Sequence, residues 1–524
     1  MFSVELVWNT SPQNQTGICR AGDCPRRWIV KLHCNTAACT LKWRLNLNRY
    51  AMSQFNLISI LIAGLLYVLT SGISLQDRLL VEMRHKMTLH AFVEPSADAL
   101  FDGAMAGMVR TMNEQYGDHY SLYIPPSKQT QYTDSFANIF EGFGMTTRIS
   151  TQDNEKTVVI DYPLLNSPAY HAGIRSGDRI LKIDGEDFAD KTNSEIMHLF
   201  RQSREAESAL SVIPFGQTET KEILISREKH RHDSIEGDYY EIDGDTPGRV
   251  FFLEDHPQIG YVHITSFVES THTEFGQALA TIKQAGTEAF ILDLRGNSGG
   301  DVLSSVQVAR MLIAVNSQLD APHDNLIATV RSRHGIDRKR IRNILPPYEQ
   351  LYDIPMVVLI NSETASSAEI VAAALQDYRR ATVVGTRSFG KGVIQSITVL
   401  PFQLGALQLT EAEYLRPSGA GIHRKRFVSE TDVWGVLPDI TVEFTKPQKE
   451  FVSAYRSLRS NVVSTQRQLV LDDFRQYFSG QHGWPYPTPD EEPSSPNDFV
   501  GTAPYYDPQI DKAIEVLLGE LTTQ

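Results

Sequence analysis

The residues best suited to chemistry are a hydroxyl and an amine set 25 positions apart. The run Thr364-Ala365-Ser366-Ser367-Ala368-Glu369-Ile370 puts Ser366 at the opening of an apolar helix, directly after the hydrophobic strand Met356–Ile360 and Asn361. At such a junction a serine Oγ can face a cleft while the first amides of the helix meet developing negative charge. The run Ser388-Phe389-Gly390-Lys391-Gly392-Val393-Ile394-Gln395 holds Lys391 in a glycine-flanked turn just past another strand, 381–384. Burial lowers a lysine pKa, and only the neutral amine can accept the Ser366 proton as general base. Gln395, two strand periods further on, would share the lysine's face and orient its amine. A third run, Asp293-Leu294-Arg295-Gly296-Asn297-Ser298-Gly299-Gly300-Asp301, ends a strand in an amide-rich turn. There the Gly300 N–H, paired with the N–H of Ser367, suits an oxyanion.

Each run also has a plainer reading. Thr and Ser before Glu are what a helix N-cap uses. A glycine-flanked lysine serves as a turn residue, Gln395 as an ordinary polar strand residue, and glycines close any tight strand-to-helix turn. Gly385 to Gly392 also follows a strand and matches the phosphate loop G-x4-G-K up to its last position. That position requires Ser or Thr for magnesium and a following helix, and here it is Gly392 followed by strand-like Val-Ile-Gln-Ser-Ile.

The elements that must position these groups follow from hydrophobic periodicity. Residues 78–135 read as helical, with apolar residues at helical spacing over Ala97–Val109 behind a Pro95-Ser96 start signal and the Tyr120–Pro126 stretch ending it. Residues 136–226 read as a small α+β module, with a strand at 156–160, a helix at 194–200 and glycine turns at Gly173, Gly177 and Gly185. From 247 to 445, strands at 260–264, 289–294, 356–360 and 381–384 alternate with helices, which predicts an α/β core on a largely parallel sheet. Residues 446–524 form a mixed extension with a proline-rich linker at 484–493 and a last amphipathic helix over 509–521. The basic stretch 331–342 reads as a long surface loop.

With 524 residues, 41% hydrophobic and 21% charged, the composition is that of a folded multidomain protein. The 63 acidic against 49 basic residues give a net charge of −14, which argues against a nucleic-acid partner. All four cysteines (Cys19, Cys24, Cys34, Cys39) precede residue 40, in two C-x4-C pairs, so thiol catalysis is excluded from the body. A small zinc site, a disulfide knot, a disordered leader over 1–56, or untranslated sequence ahead of Met52 all remain open for that segment. The nearly uncharged stretch 57–75 is 19 residues long and predicts one membrane crossing or signal anchor. Flanking basic residues are balanced and leave its orientation open.

Taken together the runs resemble those of the carboxy-terminal processing (tail-specific) peptidases, a serine-lysine family. That family's S-A-S-A-S-E-I is similar to Thr364–Ile370, its F-G-K-G-x-x-Q to Phe389–Gln395, and its D-L-R-x-N-x-G-G to Asp293–Gly300. Asn166–Gly185 resembles its PDZ domain, and Leu415–Gly419 and Gly435–Ile440 extend the likeness, which covers about residues 90 to 445. Ala and Ser are exchanged at 367 and 368 relative to the family pattern. The resemblance implies a ClpP/crotonase-like α/β peptidase core (247–445) with an inserted PDZ-like α+β domain (136–226), a helical N-terminal segment (78–135) and a single membrane anchor. It implies Ser366 as nucleophile, Lys391 as base, Gln395 as its orienting partner, and the Gly300 and Ser367 amides as oxyanion donors. No cofactor or metal is implied. The Gly142-Phe143-Gly144-Met145 loop would receive the terminal carboxylate of protein substrates with accessible C-terminal tails. A homo-oligomer and an extracytoplasmic, periplasmic body are further expectations, and a catalytically inactive PDZ-containing membrane scaffold is the competing one.

Overall fold

The structure, a computed structural model, describes three short strands within the first 45 residues and then residues 74–152, 155–202, 207–243, 246–314, 325–333, 339–342, 350–351, 353–424, 433–462, 464–482 and 507–523. The four cysteines, Met52 and all but the last two residues of the expected anchor lie outside the described residues. Among the described residues, no helix is long and apolar enough to cross a membrane. The chain divides into two compact units, Met1–Ala104 and Met105–Gln524. In the first, the three short strands pair antiparallel, and helix α1 (Leu75–His90) starts where the Ser74 hydroxyl accepts from the Asp77 N–H at 3.2 Å. Helix α2 (Ala97–Tyr116) begins in the first unit and ends in the second.

The second unit opens with β1 (Leu122–Ile124) and α3 (Gln129–Phe136). Next comes the α+β module: β2 (Ile139–Gly142), β3 (Met145–Gln152), β4 (Glu155–Pro163), β5 (Arg179–Ile183), α4 (Asn193–Gln202), β6 (Glu207–Ile213), β7 (Lys221–Ser226) and β8 (Glu228–Arg231). Five strands form an antiparallel sheet in the order β7-β6-β5-β4-β3, which leaves β3 at the edge. Its own core holds Val158, Ile160, Ile174, Ile180, Phe188, Ile196 and Leu210. Strand β8, just past the expected boundary at 226, pairs antiparallel with β2 and closes the module where the chain enters and leaves it.

The α/β part is built on a largely parallel sheet in the order β9-β10-β11-β14-β15-β18. Its strands are β9 (Ile235–Glu236), β10 (Ile259–Ile264), β11 (Ala289–Asp293), β14 (Met356–Ile360), β15 (Thr382–Gly385) and β18 (Ile440–Thr441), with only β9 antiparallel to its neighbour. Strands β10, β11 and β14 are buried at every position, as expected of parallel strands covered on both faces. Helices α5 (Thr271–Gln284), α6 (Val302–Leu312) and α7 (Ser367–Asp377) cover one face. Ala513 and Leu517 of the last helix pack on the other.

A second, antiparallel sheet carries the lysine turn. It runs β13-β12-β17-β16, made of β12 (Leu326–Ser332), β13 (Lys339–Arg342), β16 (Val393–Val399) and β17 (Ala406–Leu415), with β1 also paired to β17. The stretch read from sequence as a basic loop around 331–342 thus contributes two strands. Arg331 of β12 pairs with Glu413 on β17.

The C-terminal extension is not peripheral. Helices α8 (Lys446–Asn461) and α9 (Ser464–His482) form a hairpin whose Phe451, Phe474 and Phe478 pack with Tyr162 of β4. Arg148 of β3 pairs with Asp161 and, at 2.6 Å, with Asp473 of α9. From α8, Arg456 reaches Asp293 at 3.5 Å and the Arg295 carbonyl at 3.2 Å, while Lys449 pairs with Glu363 at 3.0 Å. One hairpin therefore touches the module's sheet and both loops that flank the serine. Helix α10 (Pro508–Leu521) adds Asp507 and Gln509, which bond Arg295 at 2.9 and 3.1 Å.

Candidate active site

Ser366 caps the N-terminus of α7 with φ +57° and ψ −122°, a conformation only glycine adopts without cost. Holding a non-glycine residue there costs on the order of 1–3 kcal/mol, so the surroundings must impose it. Two groups do. The Ser366 N–H donates to Glu369 Oε2 at 2.9 Å, and the Ser366 carbonyl accepts from the Tyr414 hydroxyl at 2.8 Å.

Glu369 is fully buried and gathers the site around it. Besides Ser366, its carboxylate accepts from Ser388 Oγ at 2.5 Å, the Gly390 N–H at 2.7 Å and the Lys391 N–H at 2.8 Å. Burial pushes this carboxyl above its ordinary range, and the four donors oppose that shift. Tyr414, from β17 and 1% exposed, also bonds the Lys391 carbonyl.

The Lys391 ammonium lies 4.9 Å from the centre of the Tyr120 ring. Burial lowers its pKa below that of an ordinary lysine, against the attraction of Glu369. Among the described residues, no hydrogen bond joins Lys391 Nζ to Ser366 Oγ. Gln395 follows a register shift in β16 between Ile394 and Gln395, so simple alternation from Lys391 does not carry through. Its Nε2 donates to Thr410 Oγ1 at 3.4 Å, and that hydroxyl donates to Asp118 at 2.9 Å. Asp118 in turn accepts from the N–H groups of Tyr120 and Ser121, both at 3.1 Å.

The glycine turn after β11 lies directly against the serine. A Cβ on Gly299 (φ +102°) would sit 2.6 Å from the Ser366 Cβ, and one on Gly300 (φ +132°) would meet the Phe267 carbonyl at 2.0 Å. Asn297, fully buried, fixes the turn: its Oδ1 accepts from Gly299 N–H at 2.8 Å, its Nδ2 donates to the Ile264 carbonyl at 2.9 Å, and its carbonyl accepts from Ala365 N–H at 2.9 Å. Ser367 is also buried, and its Oγ has no hydrogen-bond partner among the described residues. Below the turn, Asp293 accepts from Tyr261 at 2.9 Å and pairs with Arg295 at 2.6 Å. Burial alone would raise its carboxyl; Arg295 and Arg456 override that and hold it well below the usual carboxylate range. The Gly385–Gly392 run leads into strand β16, not a helix, so the phosphate-loop reading fails on secondary structure as well as on Gly392.

In the module, Gly142 ends β2 and Met145 begins β3. Phe143 is buried in the module core and its carbonyl accepts from Ala169 N–H at 2.9 Å. Gly144 takes φ +72°, and its carbonyl accepts from Leu164 N–H and Ser167 Oγ, both at 2.8 Å. The Arg227 guanidinium lies 5.8 Å from the Phe143 ring centre.

Two family models match this arrangement: peptidase family S41 over residues 258–442 and the PDZ domain over 136–213. The chain resembles the carboxy-terminal-processing proteases, and its residues 258–442 match peptidase family S41. A carboxy-terminal-processing protease of Bartonella bacilliformis is 29% identical over 82% of this chain and 85% of its own length. A carboxyl-terminal-processing protease of Synechocystis is 28% identical over 65% and 70%. Among solved structures, the photosystem II D1 C-terminal processing protease aligns at 22% identity over 69% of this chain and 86% of that one, with a TM-score of 0.37. A putative S41 protease of Bacteroides fragilis aligns at 15% identity over 76% and 97%, with a TM-score of 0.46. The chain is a serine peptidase with a PDZ domain.

Sequence reasoning did not assign roles to Glu369, Tyr414, Asn297 or Tyr120. For Glu369 a signal was present, because Ser-x-x-Glu is the capping-box pattern. For Tyr414 and Tyr120 there was none, since their contacts with Lys391 and Ser366 join positions 23 to 271 residues apart in the chain.

Proposed function

We propose that this peptidase works through a Ser366–Lys391 dyad and cleaves near the C-terminus of extended or unfolded proteins, whose terminus the PDZ module receives. The observation that carries the dyad is the double clamp on the two residues' peptide groups by Glu369 and Tyr414. Ser366 Oγ attacks a peptide carbonyl as neutral Lys391 takes its proton, and the same amine then returns that proton to the leaving nitrogen. The Gly300 and Ser367 amides receive the oxyanion, and the Ala/Ser exchange at 367 and 368 leaves the Ser367 amide in place. Water, deprotonated by Lys391, hydrolyses the acyl-enzyme.

Delivery of the substrate follows from strand β3, which is an edge strand of the PDZ sheet and begins at the Gly142–Met145 loop. An extended tail adding there would place its carboxylate at that loop. The names of the two relatives support this substrate class. Gln395 acts through Thr410 and Asp118 in this scheme, not by touching the amine. The apolar stretch 57–75 anchors the protein with its body outside the cytoplasm, and self-association of the anchored enzyme belongs to the same reading. The deciding experiment incubates the chain from residue 78 onward with an unfolded, tail-bearing protein and reads the fragments by mass spectrometry. Cleavage lost in both Ser366→Ala and Lys391→Ala is expected; cleavage that survives in Lys391→Ala rejects the dyad.

A further inference from the structure

Lys391 Nζ must reach Ser366 Oγ to act, and in the structure it lies over an aromatic ring. Tyr120 supplies that ring from the segment between α2 and β1, a region far from the lysine in sequence. Its main chain is independently fixed: the Tyr120 N–H donates to Asp118 at 3.1 Å, and its carbonyl accepts from Gln408 Nε2 at 2.7 Å. The Ser121 hydroxyl, bonded to Asp118, also accepts from the Thr410 N–H at 3.0 Å. The ring is therefore presented by a braced loop whose position does not depend on the ring itself.

We propose that Tyr120 is a positioning residue for the general base: its ring is the seat of Lys391 Nζ and tunes that amine from a braced loop. The inference rests on reading Lys391 as the base. A ring face attracts the ammonium and not the neutral amine. The seat therefore opposes the burial that lowers the Lys391 pKa, as Glu369 does from α7. The other titratable or charged groups packed around the pair are Tyr414 on β17, Asp118 in the Tyr120 loop, and His423, whose ring meets the Tyr120 ring edge-on at 6.4 Å. Arg424, beside the lysine turn, is stacked on Trp434.

The sign follows directly. Removing the ring while keeping the pocket apolar should lower the Lys391 pKa further, so that the neutral base appears at lower pH. The test uses the full chain with Ser366→Ala, labelled at lysine 13Cε, with the Lys391 signal assigned by its loss in Lys391→Arg. Tyr120→Leu should move the Lys391 titration down by about half to one pH unit, and Tyr120→Phe should leave it in place. In the active enzyme the rising limb of kcat/KM should shift by the same amount, about three- to tenfold in rate at a fixed pH on that limb. Tyr120→Met provides the same comparison if the leucine variant does not fold. An unmoved titration in Tyr120→Leu or Tyr120→Met, or an equal shift in Tyr120→Phe, overturns the proposal. These readings are made on the lysine itself, so they separate from the dyad test, which fails only if Lys391→Ala still cleaves.

Discussion

Ser366 and Lys391 share partners without sharing a side-chain bond. Both N–H groups donate to the same Glu369 oxygen, at 2.9 and 2.8 Å, and both carbonyls accept from the Tyr414 hydroxyl. The proposed nucleophile and base are thus registered through their backbones.

Glu369→Gln should be more damaging than its size suggests. The amide keeps one acceptor oxygen and turns an NH2 toward donors that the carboxylate had satisfied. Leaving buried donors unpaired costs about 1–3 kcal/mol each. We expect a loss of about 2–4 kcal/mol in urea unfolding and a fall in kcat of about a hundredfold with KM little changed, measured on one unstructured substrate. Wild-type kcat in this variant would contradict the clamp.

Tyr414→Phe removes only the hydroxyl. The ring keeps its packing, and the two carbonyls lose a shared donor, so kcat should drop about tenfold with stability reduced by about 1–2 kcal/mol. If kcat is unchanged while stability falls, Tyr414 supports the fold and not the geometry of the dyad.

Lys391→Arg should be as inactive as Lys391→Ala, because a guanidinium stays protonated and cannot act as base. Combining either with Ser366→Ala should add nothing further. For the wild type, burial lowers the Lys391 pKa from 10.5. The neutral fraction therefore grows as pH rises through that lowered value, and kcat/KM should climb along a limb lying below an exposed lysine's range. A similar limb persisting in Lys391→Ala would assign it to another group.

Tail reading predicts a difference between two otherwise identical substrates. Amidating the terminus removes charge-assisted hydrogen bonds worth about 1.5–3 kcal/mol, so cleavage should slow roughly ten- to a hundredfold where binding limits the rate. Deleting residues 136–226 should erase the difference. Equal rates with the intact protein would remove the role given to the Gly142–Met145 loop.

Asp473→Ala tests the hairpin's grip on the module. Arg148 would keep Asp161 but lose Asp473, and the module's attachment should loosen. We expect faster hydrogen exchange in β3 and a smaller ratio between free and amidated tails, with Ser366 still reactive. Exchange unchanged in β3 would mean that aromatic packing alone holds the hairpin.

The sequence by itself determined the parallel core, the small α+β module and the three runs that carry Ser366, Lys391 and Gly300. Those features depend on local periodicity and on glycines at turns, which neighbours in the chain decide. Helix α7 starts one residue after Ser366, and strands β10, β11 and β14 lie within a residue of where their apolar runs placed them. Only the tertiary structure decided which groups surround the dyad. Tyr120, Asp118 and Arg456 come from segments whose own patterns say only helix or loop, and Gln395, just past a register shift in β16, bonds Thr410. Within the basic stretch, residues 331–332 and Lys339–Arg342 lie in strands, because β12 pairs with β17 and β13 with β12. Hydrogen bonds between distant segments depend on distances that no run of residues encodes, so the clamp on Ser366 and Lys391 existed only once the two sheets had packed.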